Sequence, residues 1–332
     1  MEEQKKIAVI GGGSWATALV KILCNNLNSV NWFMRNEGAV GHILKFRHNP
    51  SYLQSIEFEL NKINVSSDLI EIIEPADIVI IATPSAFLFK LFENFPKDLL
   101  KDKIVFSAVK GIIPEYNAIP ARFIHKTFDT PYDNIGIICG PCHAEEVAME
   151  RLSYLTIACQ DDEVAQEMAD LLACRYIKTT ISDDLFGTEI SAVLKNVYSI
   201  ASGICAGLGY GDNFQSVLVS NAIQEIENLI DEMSPIHRDV KSSAYLGDLL
   251  VTAYSKFSRN RSFGYMIGKG YSVKTAQMEM DMIAEGYYAT KSVMEIKSKF
   301  YVEMPIVEAV YNIIYEKISP VIEMRILADK LT

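Results

Sequence analysis

Short apolar runs alternate with helical patterns along the first half of the chain. Residues 78–81 are apolar at every position, which is typical of parallel strands whose two faces are both buried. The pattern predicts six strands, at residues 6–10, 30–34, 78–83, 104–107, 135–139 and 153–158. It predicts helices between them at residues 17–27, 37–44, 87–92 and 119–128. This alternation predicts an α/β doubly wound domain with a parallel sheet.

The second half has a different period. From Phe186 onwards apolar residues recur about every 3.6 positions, which is the period of a helix, and strand patterns end. The clearest helical segments are residues 217–231, 273–280, 289–299 and 305–317. The pattern therefore predicts two domains, an α/β domain over residues 1–187 and an all-α domain over residues 188–332.

A glycine turn separates the first predicted strand from the first helix. Gly11 permits a tight turn, Gly13 lets the backbone approach a pyrophosphate, and Ala16 lets the helix pack closely on the strand. The free N–H groups and positive dipole at the start of that helix favour phosphate. Because the turn opens a strand–helix–strand unit, it indicates dinucleotide binding. The alternative is a glycine turn that holds no ligand.

The residue after the second strand bears on the type of cofactor. An acidic residue there usually bonds the ribose 2′-hydroxyl of NAD, but this chain has Arg35. A guanidinium suits a 2′-phosphate, so the sequence favours NADP over NAD. Glu37, two positions later, keeps NAD open, and an arginine exposed at a loop tip is the third interpretation.

One lysine interrupts a long apolar helical pattern. Residues 190–211 contain a single charged residue, Lys195, opposite an apolar face and surrounded by Ser191, Tyr198, Ser199 and Ser202. An ammonium in that setting is partly desolvated, which lowers its pKa and suits proton transfer near neutral pH. The alternative is a lysine that extends into solvent. An exposed face normally carries several charges, however, and this one does not.

A second group of polar residues follows in the helical half. Asp248 and Thr252 lie one helical turn apart, and the segment 255–261 is rich in hydrogen-bond donors. Arginine binds phosphate through two parallel bonds, and serine and asparagine add neutral donors, so this segment is a candidate anion site. The alternative is an ordinary solvated loop.

Composition narrows the possible partners. The chain has 332 residues, 49% apolar and 22% charged, which is enough for a sizeable core. Its 31 basic and 42 acidic residues give a net charge of −11, so an extended nucleic-acid surface is not expected. Six scattered cysteines suit a reducing compartment. Cys139 and Cys142 have metal-site spacing, but no second pair follows, and no metal is expected.

The first residues of the sequence do not resemble a signal peptide. Residues 1–6 are charged and lead directly into the first strand, without the apolar block of a signal peptide. No stretch has the apolar length and composition of a spanning helix, so we expect no membrane insertion and a cytoplasmic protein.

The motifs together resemble one family along essentially the whole chain, the bacterial soluble type of NAD(P)-dependent glycerol-3-phosphate dehydrogenases. Eight motifs stand in the order typical of that family. They are Gly11-Gly12-Gly13-Ser14-Trp15, Lys110-Gly111-Ile112, Gly140-Pro141-Cys142-His143-Ala144-Glu145-Glu146, Leu194-Lys195-Asn196, Gly209-Tyr210-Gly211-Asp212-Asn213, Gly247-Asp248-Leu249, Ser258-Arg259-Asn260-Arg261 and Ala284-Glu285-Gly286.

The resemblance implies a Rossmann-type N-terminal domain, an all-α C-terminal domain and a cleft between them that holds the active site. It implies interconversion of dihydroxyacetone phosphate and sn-glycerol 3-phosphate with NADP or NAD as cofactor. The glycerol 3-phosphate would be used in phospholipid synthesis. The resemblance also implies a homodimer. By this likeness Lys195 is the proton donor or acceptor, and Asp248 supports Lys195 and the substrate hydroxyls. Lys110 contacts both substrate and cofactor.

The remaining site residues follow from the resemblance together with the patterns described above. The predicted substrate site also contains Gly140, Cys142, Asn196, Thr252, Ser258, Arg259 and Asn260. The predicted cofactor site contains Gly11, Gly13, Ser14, Trp15, Arg35, Lys110, Ala144, Arg259, Ile283 and Glu285.

The chain departs from the family pattern at two places. Phe214-Gln215-Ser216 stands where Thr-Lys-Ala is common, so a cation is lost and substrate affinity is in doubt. Cys142 and His143 replace a hydroxyl donor and an aromatic residue. Two other functions remain open, a reductase of the same architecture that acts on a hydroxy acid such as 6-phosphogluconate or ketopantoate, and a non-catalytic NADP sensor.

Overall fold

The computed structural model describes residues 5–280 and 284–332, which form two compact units. The first contains residues 5–109 and Pro120–Leu185, and the second contains Lys110–Ile119 and Phe186–Thr332. The pattern along the chain does not predict that Lys110–Ile119 belongs with the helical residues. These residues join the second unit through long-range bonds, for example from Asn117 Nδ2 to Glu295 Oε2 at 2.7 Å.

The first unit is built on one eight-stranded sheet. Its strands are β1 (Ile7–Ile10), β2 (Val30–Phe33), β3 (Ile63–Ser66), β4 (Ile78–Ile81), β5 (Ile104–Ser107), β6 (Ile135–Cys139), β7 (Ser153–Cys159) and β8 (Ile177–Ser182). They lie in the order β3-β2-β1-β4-β5-β6-β7-β8. Neighbours from β3 to β6 are parallel, β6 and β7 are antiparallel, and β7 and β8 are parallel. The order 3-2-1-4-5-6 is that of a Rossmann-type fold, which confirms the predicted class.

Burial explains which strands the sequence predicts. Every residue of β1 and β4 is buried, and all six predicted strands form close to their expected bounds. β3 and β8 are not predicted from the sequence. Both are partly exposed, with Asn64 and Lys178 facing solvent, and therefore lack the continuous apolar pattern of the central strands.

Within the described part of the first unit, seven helices accompany this sheet. They are α1 (Ser14–Leu23), α2 (Glu37–Phe46), α3 (Leu69–Ile73), α4 (Leu88–Phe92), α5 (Pro120–Phe128), α6 (Ala144–Ala148) and α7 (Asp162–Leu172). Short 3-10 turns lie at Leu60–Lys62, Ser85–Phe87 and Tyr132–Asn134. α1 begins three residues earlier than predicted, at Ser14, because Gly13 in the glycine turn is already its N-cap residue.

The second unit is helical, as predicted. Its helices are α8 (Leu185–Leu208, whose first residue belongs to the first unit), α9 (Asp212–Met233), α10 (Asp248–Tyr254), α11 (Arg259–Gly268), α12 (Val273–Met278), α13 (Glu285–Phe300), α14 (Pro305–Ile314) and α15 (Pro320–Ala328). A π-helical turn, Ser243–Gly247, leads directly into α10.

α8 is the central helix of this unit. Among the described helices it is the one long and apolar enough to cross a membrane by length and composition, with a mean hydropathy of 1.2. However, 94% of that stretch is buried inside the protein, and a buried core helix meets the same criterion. The burial of α8 in the helical unit accounts for its apolar sequence.

Glycines let α8 and α11 pack backbone against backbone. A Cβ on Gly203 would lie 2.1 Å from the carbonyl oxygen of Arg261, and one on Gly264 would lie 2.1 Å from that of Ile200. No side chain fits in such a space. This contact brings the helix that carries Lys195 next to the helix that begins with Arg259 and Asn260.

Candidate functional site

The glycine turn after β1 adopts a conformation that requires glycine. Gly11 has a φ of +145°, and a Cβ there would lie 2.6 Å from the carbonyl oxygen of Ala82. Gly13 differs, because nothing lies within 4 Å of a Cβ built at that position. Gly11 therefore shapes the turn, whereas Gly13 leaves open space in front of the backbone for a ligand.

The start of α1 presents the features that a pyrophosphate needs. Gly13 is the N-cap residue and has no side chain to bond the first N–H groups of the helix. Ser14 is buried and Trp15 is partly exposed, both in the first turn. The positive end of a helix whose N-cap residue is glycine, next to open space, fits a dinucleotide phosphate.

Two side chains that the sequence analysis does not single out hold this turn in place. Trp32 Nε1 donates to the carbonyl oxygen of Gly11 at 2.7 Å. Asn49 Nδ2 donates to the carbonyl oxygen of Gly12 at 3.0 Å and to Thr17 Oγ1 at 2.9 Å. Asn49 is 1% exposed. A buried polar side chain must be hydrogen-bonded, but its partners cannot be predicted from one sequence because they lie far along the chain.

Arg35 lies at the end of the strand next to the glycine turn. It is exposed and follows β2, whose neighbour in the sheet is β1. Its guanidinium carbon lies 5.8 Å from the ring centroid of Phe87, a cation–π arrangement that orients the side chain. Asn36 caps α2 by accepting from Ala39 N. Phe87 is a further candidate for the cofactor site, and the sequence pattern does not predict it.

The turn after β6 contains three further predicted site residues. Gly140 has a φ of +110°, in the region that favours glycine. Cys142 is partly exposed, and Ala144 is the buried first residue of α6. α6 packs against α1, so this turn lies in the same part of the first unit as the glycine turn.

A buried cluster of charges forms the centre of the second unit. Lys195 Nζ lies 2.5 Å from Asp248 Oδ1 and 2.9 Å from Thr252 Oγ1. Lys110 Nζ lies 3.0 Å from the other carboxylate oxygen, Asp248 Oδ2. Lys195 is 5% exposed and Asp248 1% exposed. One buried carboxylate therefore bridges the buried Lys195 ammonium and the partly exposed Lys110 ammonium.

Burial and charge shift the pKa of both partners. Burial lowers the pKa of the Lys195 ammonium from 10.5 to about 8; attraction to Asp248 opposes this shift and repulsion from Lys110 adds to it. Burial alone would raise the pKa of the Asp248 carboxyl, but the ammonium groups of Lys110 and Lys195 hold it below its ordinary value. The cluster thus combines a stable carboxylate with a lysine able to exchange a proton near neutral pH.

The polar side of α8 faces α10. Lys195 contacts the side chains of Asp248 and Thr252, as described above. Ser199 Oγ donates to the carbonyl oxygen of Thr252 at 2.8 Å, and Ser202 Oγ contacts that of Ala253 at 2.7 Å. These residues lie within the polar stripe that the helical pattern predicts. Polar side chains and carbonyl groups of α10, instead of solvent, therefore meet these residues.

The first turn of α11 carries the predicted anion site. Ser258 is its N-cap residue, and its hydroxyl accepts from Arg261 N at 3.2 Å. Arg259 is partly exposed, whereas Asn260 is buried. Asn260 Nδ2 donates to Asn196 Oδ1 at 2.9 Å, and Asn260 Oδ1 accepts from Gly286 N at 2.9 Å. The buried residues of this turn are therefore held by α8 and by the start of α13.

Asn196 links Asn260 to the segment that carries Lys110. Its Nδ2 donates to the carbonyl oxygen of Lys110 at 2.7 Å and to that of Ala192 at 3.3 Å. Backbone groups at both ends of this chain of amides set its direction, because Gly286 N can only donate and a carbonyl oxygen can only accept. Lys110 is thus fixed by its backbone as well as by its ammonium group.

Comparison with known proteins identifies the family. Family models for the N-terminus and C-terminus of NAD-dependent glycerol-3-phosphate dehydrogenase match residues 6–165 and 184–324. The chain is 34% identical to glycerol-3-phosphate dehydrogenase [NAD(P)+] of Staphylococcus aureus over 315 residues, or 95% of each chain. It is 32% identical to that of Staphylococcus carnosus over 314 residues, or 94% of each chain.

The chain belongs to the NAD-dependent glycerol-3-phosphate dehydrogenase family. A solved structure agrees with this assignment, the glycerol-3-phosphate dehydrogenase (gpsA) of Coxiella burnetii. It has a TM-score of 0.91 and 26% sequence identity over 98% of this chain and 99% of that chain. The family resemblance predicted from the sequence motifs is therefore confirmed.

In this glycerol-3-phosphate dehydrogenase family member, the structure brings the predicted residues together in two groups. In the first unit Gly11, Gly13, Ser14 and Trp15 lie at the glycine turn and the start of α1, and Arg35 follows the neighbouring strand β2. In the second unit hydrogen bonds connect Lys110, Lys195, Asn196, Asp248, Thr252 and, through Ser199, Ser258, while Asn260 bonds to Asn196. Glu285 begins α13, and Ile283 lies outside the described residues.

One departure from the glycerol-3-phosphate dehydrogenase pattern has a structural explanation. Gln215 stands where the family resemblance leads us to expect lysine. It is 5% exposed, and its Nε2 donates to the carbonyl oxygen of Ser202 at 2.9 Å. Phe214 packs against Tyr210 with ring centroids 4.5 Å apart. Gln215 therefore joins α9 to α8, and this position supplies a structural bond where a cation was expected.

Proposed function

We propose that this protein reduces dihydroxyacetone phosphate to sn-glycerol 3-phosphate with NAD(P)H and catalyses the reverse oxidation. The proposal rests above all on the buried Lys110–Asp248–Lys195 cluster, found in a chain of the NAD-dependent glycerol-3-phosphate dehydrogenase family. A non-catalytic dinucleotide sensor would have no use for a lysine whose pKa burial has lowered to about 8.

Lys195 acts as the acid in the reduction. Negative charge develops on the C2 oxygen of the substrate as the carbonyl is reduced, and the Lys195 ammonium donates a proton to that oxygen. Among the described residues Lys195 donates to two acceptors, so one of its three N–H groups remains for the substrate. Acid catalysis of this kind contributes about 10²–10⁴-fold to the rate. In the oxidation the neutral amine takes the proton back.

Lys110 and Asp248 prepare Lys195 for this step. Asp248 holds the Lys195 ammonium in a fixed orientation and keeps it from losing its proton entirely in a buried site. Lys110 adds positive potential near the developing negative charge, where a low local dielectric makes it effective. Thr252 accepts a hydrogen bond from Lys195, which orients the remaining N–H.

The first unit binds the cofactor. The open space at Gly13 and the uncapped start of α1 fit the pyrophosphate of a dinucleotide. When bound, a nicotinamide cofactor supplies the hydride. Ser14, Trp15 and Ala144 line the same part of the unit, and Arg35 binds the adenosine end. Glu285 and Arg259 complete the proposed cofactor contacts.

The first turn of α11 binds the substrate phosphate. Arg259 offers a guanidinium, and one N–H of the Asn260 amide has no acceptor among the described residues. Binding energy from this remote group positions the carbonyl carbon for the reaction. Gly140 and Cys142 are further proposed substrate contacts. Asn196 uses both of its N–H groups on backbone carbonyls and supports Lys110 and Asn260.

An initial-rate assay tests this function. We expect NADPH and NADH to be oxidised in the presence of dihydroxyacetone phosphate, and 6-phosphogluconate and ketopantoate to give no turnover. The other hydroxy-acid reductases would show the opposite substrate preference. Binding of NADPH without turnover of any of these substrates would instead indicate a sensor.

The pKa of Lys195 predicts the pH dependence of the enzyme. The reduction requires the ammonium form, which is lost as the pH rises through about 8. We therefore expect kcat/KM for dihydroxyacetone phosphate to be level below that pH and to fall about tenfold per pH unit above it. The oxidation requires the neutral amine, so its kcat/KM should rise up to the same pH. Measuring both pH profiles in matched buffers checks that Lys195 is the acid: kcat/KM should fall above about pH 8 for the reduction and rise up to about pH 8 for the oxidation.

The position of Arg35 predicts the cofactor preference. Replacing Arg35 by alanine removes the guanidinium proposed to bind a 2′-phosphate, so KM for NADPH should rise about tenfold or more while KM for NADH changes little. Arg47→Ala is a matched control, since Arg47 is an exposed arginine at the other end of α2. Equal losses with both cofactors would remove Arg35 from 2′-phosphate recognition.

We also propose the setting in which the enzyme works. The product would supply phospholipid synthesis, and the enzyme would be cytoplasmic and a homodimer. The net charge of −11 and the buried character of α8 support a protein that neither binds nucleic acid nor inserts into a membrane.

A further inference from the structure

Ser199 lies where three helices of the second unit meet. It belongs to α8, one turn after Lys195, and is 0% exposed. Its hydroxyl oxygen lies 2.8 Å from the carbonyl oxygen of Thr252 in the last turn of α10 and 2.7 Å from Ser258 Oγ, the N-cap of α11. A single hydroxyl therefore joins the end of one helix to the start of the next.

Counting hydrogens shows how these bonds are directed. A serine hydroxyl has one hydrogen, and a carbonyl oxygen can only accept, so Ser199 must donate its hydrogen to Thr252. The short contact between the two hydroxyls then requires Ser258 to donate to Ser199. Ser258 also accepts from Arg261 N. The hydroxyl hydrogen of Ser258 is thus already used within the protein.

We propose that Ser199 is a positioning residue and that Ser258 acts through it, instead of donating to the substrate phosphate. This inference rests on the proposed function. A phosphate is an acceptor of hydrogen bonds, and Ser258 would face it with lone pairs only. Turning the Ser258 hydrogen toward the phosphate would leave two buried hydroxyl oxygens 2.7 Å apart with no hydrogen between them.

The pair connects the proton donor with the phosphate site. On α10, Thr252 accepts a hydrogen bond from Ser199 through its carbonyl oxygen and one from Lys195 through its hydroxyl oxygen. Arg259 and Asn260, which offer donors to the phosphate, follow Ser258 on the α11 side. The Ser199–Ser258 bond therefore sets the distance between the lysine and the groups that hold the substrate.

A double-mutant cycle with Ser199→Ala and Ser258→Ala tests the inference. Each single variant should raise KM for dihydroxyacetone phosphate about tenfold, since each leaves a buried partner without its bond. The double variant should raise KM by less than the product of the two single effects, because both changes remove the shared Ser199–Ser258 bond. KM for NADPH should stay the same, and so should the pH above which kcat/KM for dihydroxyacetone phosphate falls. Both results would distinguish a positioning role from general damage to the fold.

The opposite outcome is equally clear. If Ser258 is a phosphate ligand, Ser258→Ala alone raises KM, whereas Ser199→Ala leaves it unchanged or lowers it by freeing the Ser258 hydrogen. The effects of the two changes on KM then differ, and the proposal is wrong.

Ser202→Ala provides a matched control. Ser202 lies on the same face of α8, and its hydroxyl contacts the carbonyl oxygen of Ala253 at 2.7 Å. It therefore makes the same kind of bond to the same end of α10, and its second contact, at 2.9 Å, is to Gln215 Oε1 of α9 instead of Ser258. We expect KM for dihydroxyacetone phosphate to remain close to that of the unchanged enzyme. A tenfold rise here would mean that any loosening of α10 has this effect, and would overturn a special role for Ser199.

Thermal unfolding of the wild-type protein, the two single variants and the double variant of Ser199 and Ser258 separates this inference from the proposed function. The unfolding midpoints need no substrate, so they report on the Ser199–Ser258 bond even if dihydroxyacetone phosphate is not turned over. We expect the shift of the double variant to be smaller than the sum of the two single shifts. Additive shifts would overturn the pairing, whereas a wild-type protein without turnover would overturn the proposed function alone.

Discussion

Replacing Lys195 by alanine is expected to lower kcat for dihydroxyacetone phosphate reduction by about 10²–10⁴-fold. The substitution removes the ammonium that donates to both Asp248 and Thr252, and with it the proposed source of the proton. NADPH affinity should stay nearly unchanged, because the proposed phosphate contacts belong to the glycine turn of the first unit. Single-turnover rates and NADPH titration measure the two effects separately.

Folding must be controlled in this experiment. Removing one partner of a buried ion pair destabilises a protein by about 3–5 kcal/mol, since the other charge remains buried. Lys195→Gln keeps a donor toward Asp248 but has no acidic proton, so it should be nearly as inactive while remaining more stable. Lys291→Ala, at an exposed lysine of α13, should change neither property. Full turnover by a folded Lys195→Gln variant would exclude Lys195 as the acid.

Replacing Asp248 by asparagine is expected to lower kcat/KM at pH 7 by about 10²-fold or more. The carboxylate bridges Lys110 and Lys195, and its attraction opposes the fall in the Lys195 pKa that burial and Lys110 cause. Without that charge the pKa of Lys195 drops below about 8, so less of the enzyme carries the ammonium. The descending limb of the pH profile should therefore move to lower pH, and activity should partly return in acidic buffer.

An exposed aspartate gives the comparison for this variant. Like Asp248, Asp231 forms an ion pair, in this case with Arg238, but the Asp231 side chain is 51% exposed. Asp231→Asn should therefore leave the pH profile of kcat/KM unchanged. If Asp248→Asn lowers the rate equally at all pH values, the carboxylate acts by holding the substrate or the fold. Its proposed electrostatic action on Lys195 would then be wrong.

The glycine turn shows what a local motif can predict. Gly11 and Gly13 are separated by one residue, and their roles depend on backbone geometry within that short segment. The same segment does not predict Asn49 or Trp32, although both bond to the turn. These two residues act from later in the chain, where nothing in the local pattern connects them to a phosphate loop.

The lysine helix shows the same division. The absence of other charges in residues 190–211 predicts that Lys195 is buried, and it is. Its pairing with Asp248 is implied by the family resemblance, and the structure supplies the distances and the bridge to Lys110. Ser199 appears in the predicted stripe only as a neighbour of Lys195. Its link between α10 and α11 exists because those helices pack against α8.

The sequence by itself determined the fold class, the glycine turn and the helical second half, and it predicted a desolvated Lys195, because each depends on residues close together in the chain. The tertiary structure alone decided that Lys110–Ile119 joins the helical unit, that β3 and β8 extend the sheet, and that Ser258 bonds to Ser199. These features depend on contacts between distant segments. A hydrogen bond has one donor and one acceptor, and only the folded chain shows which groups meet.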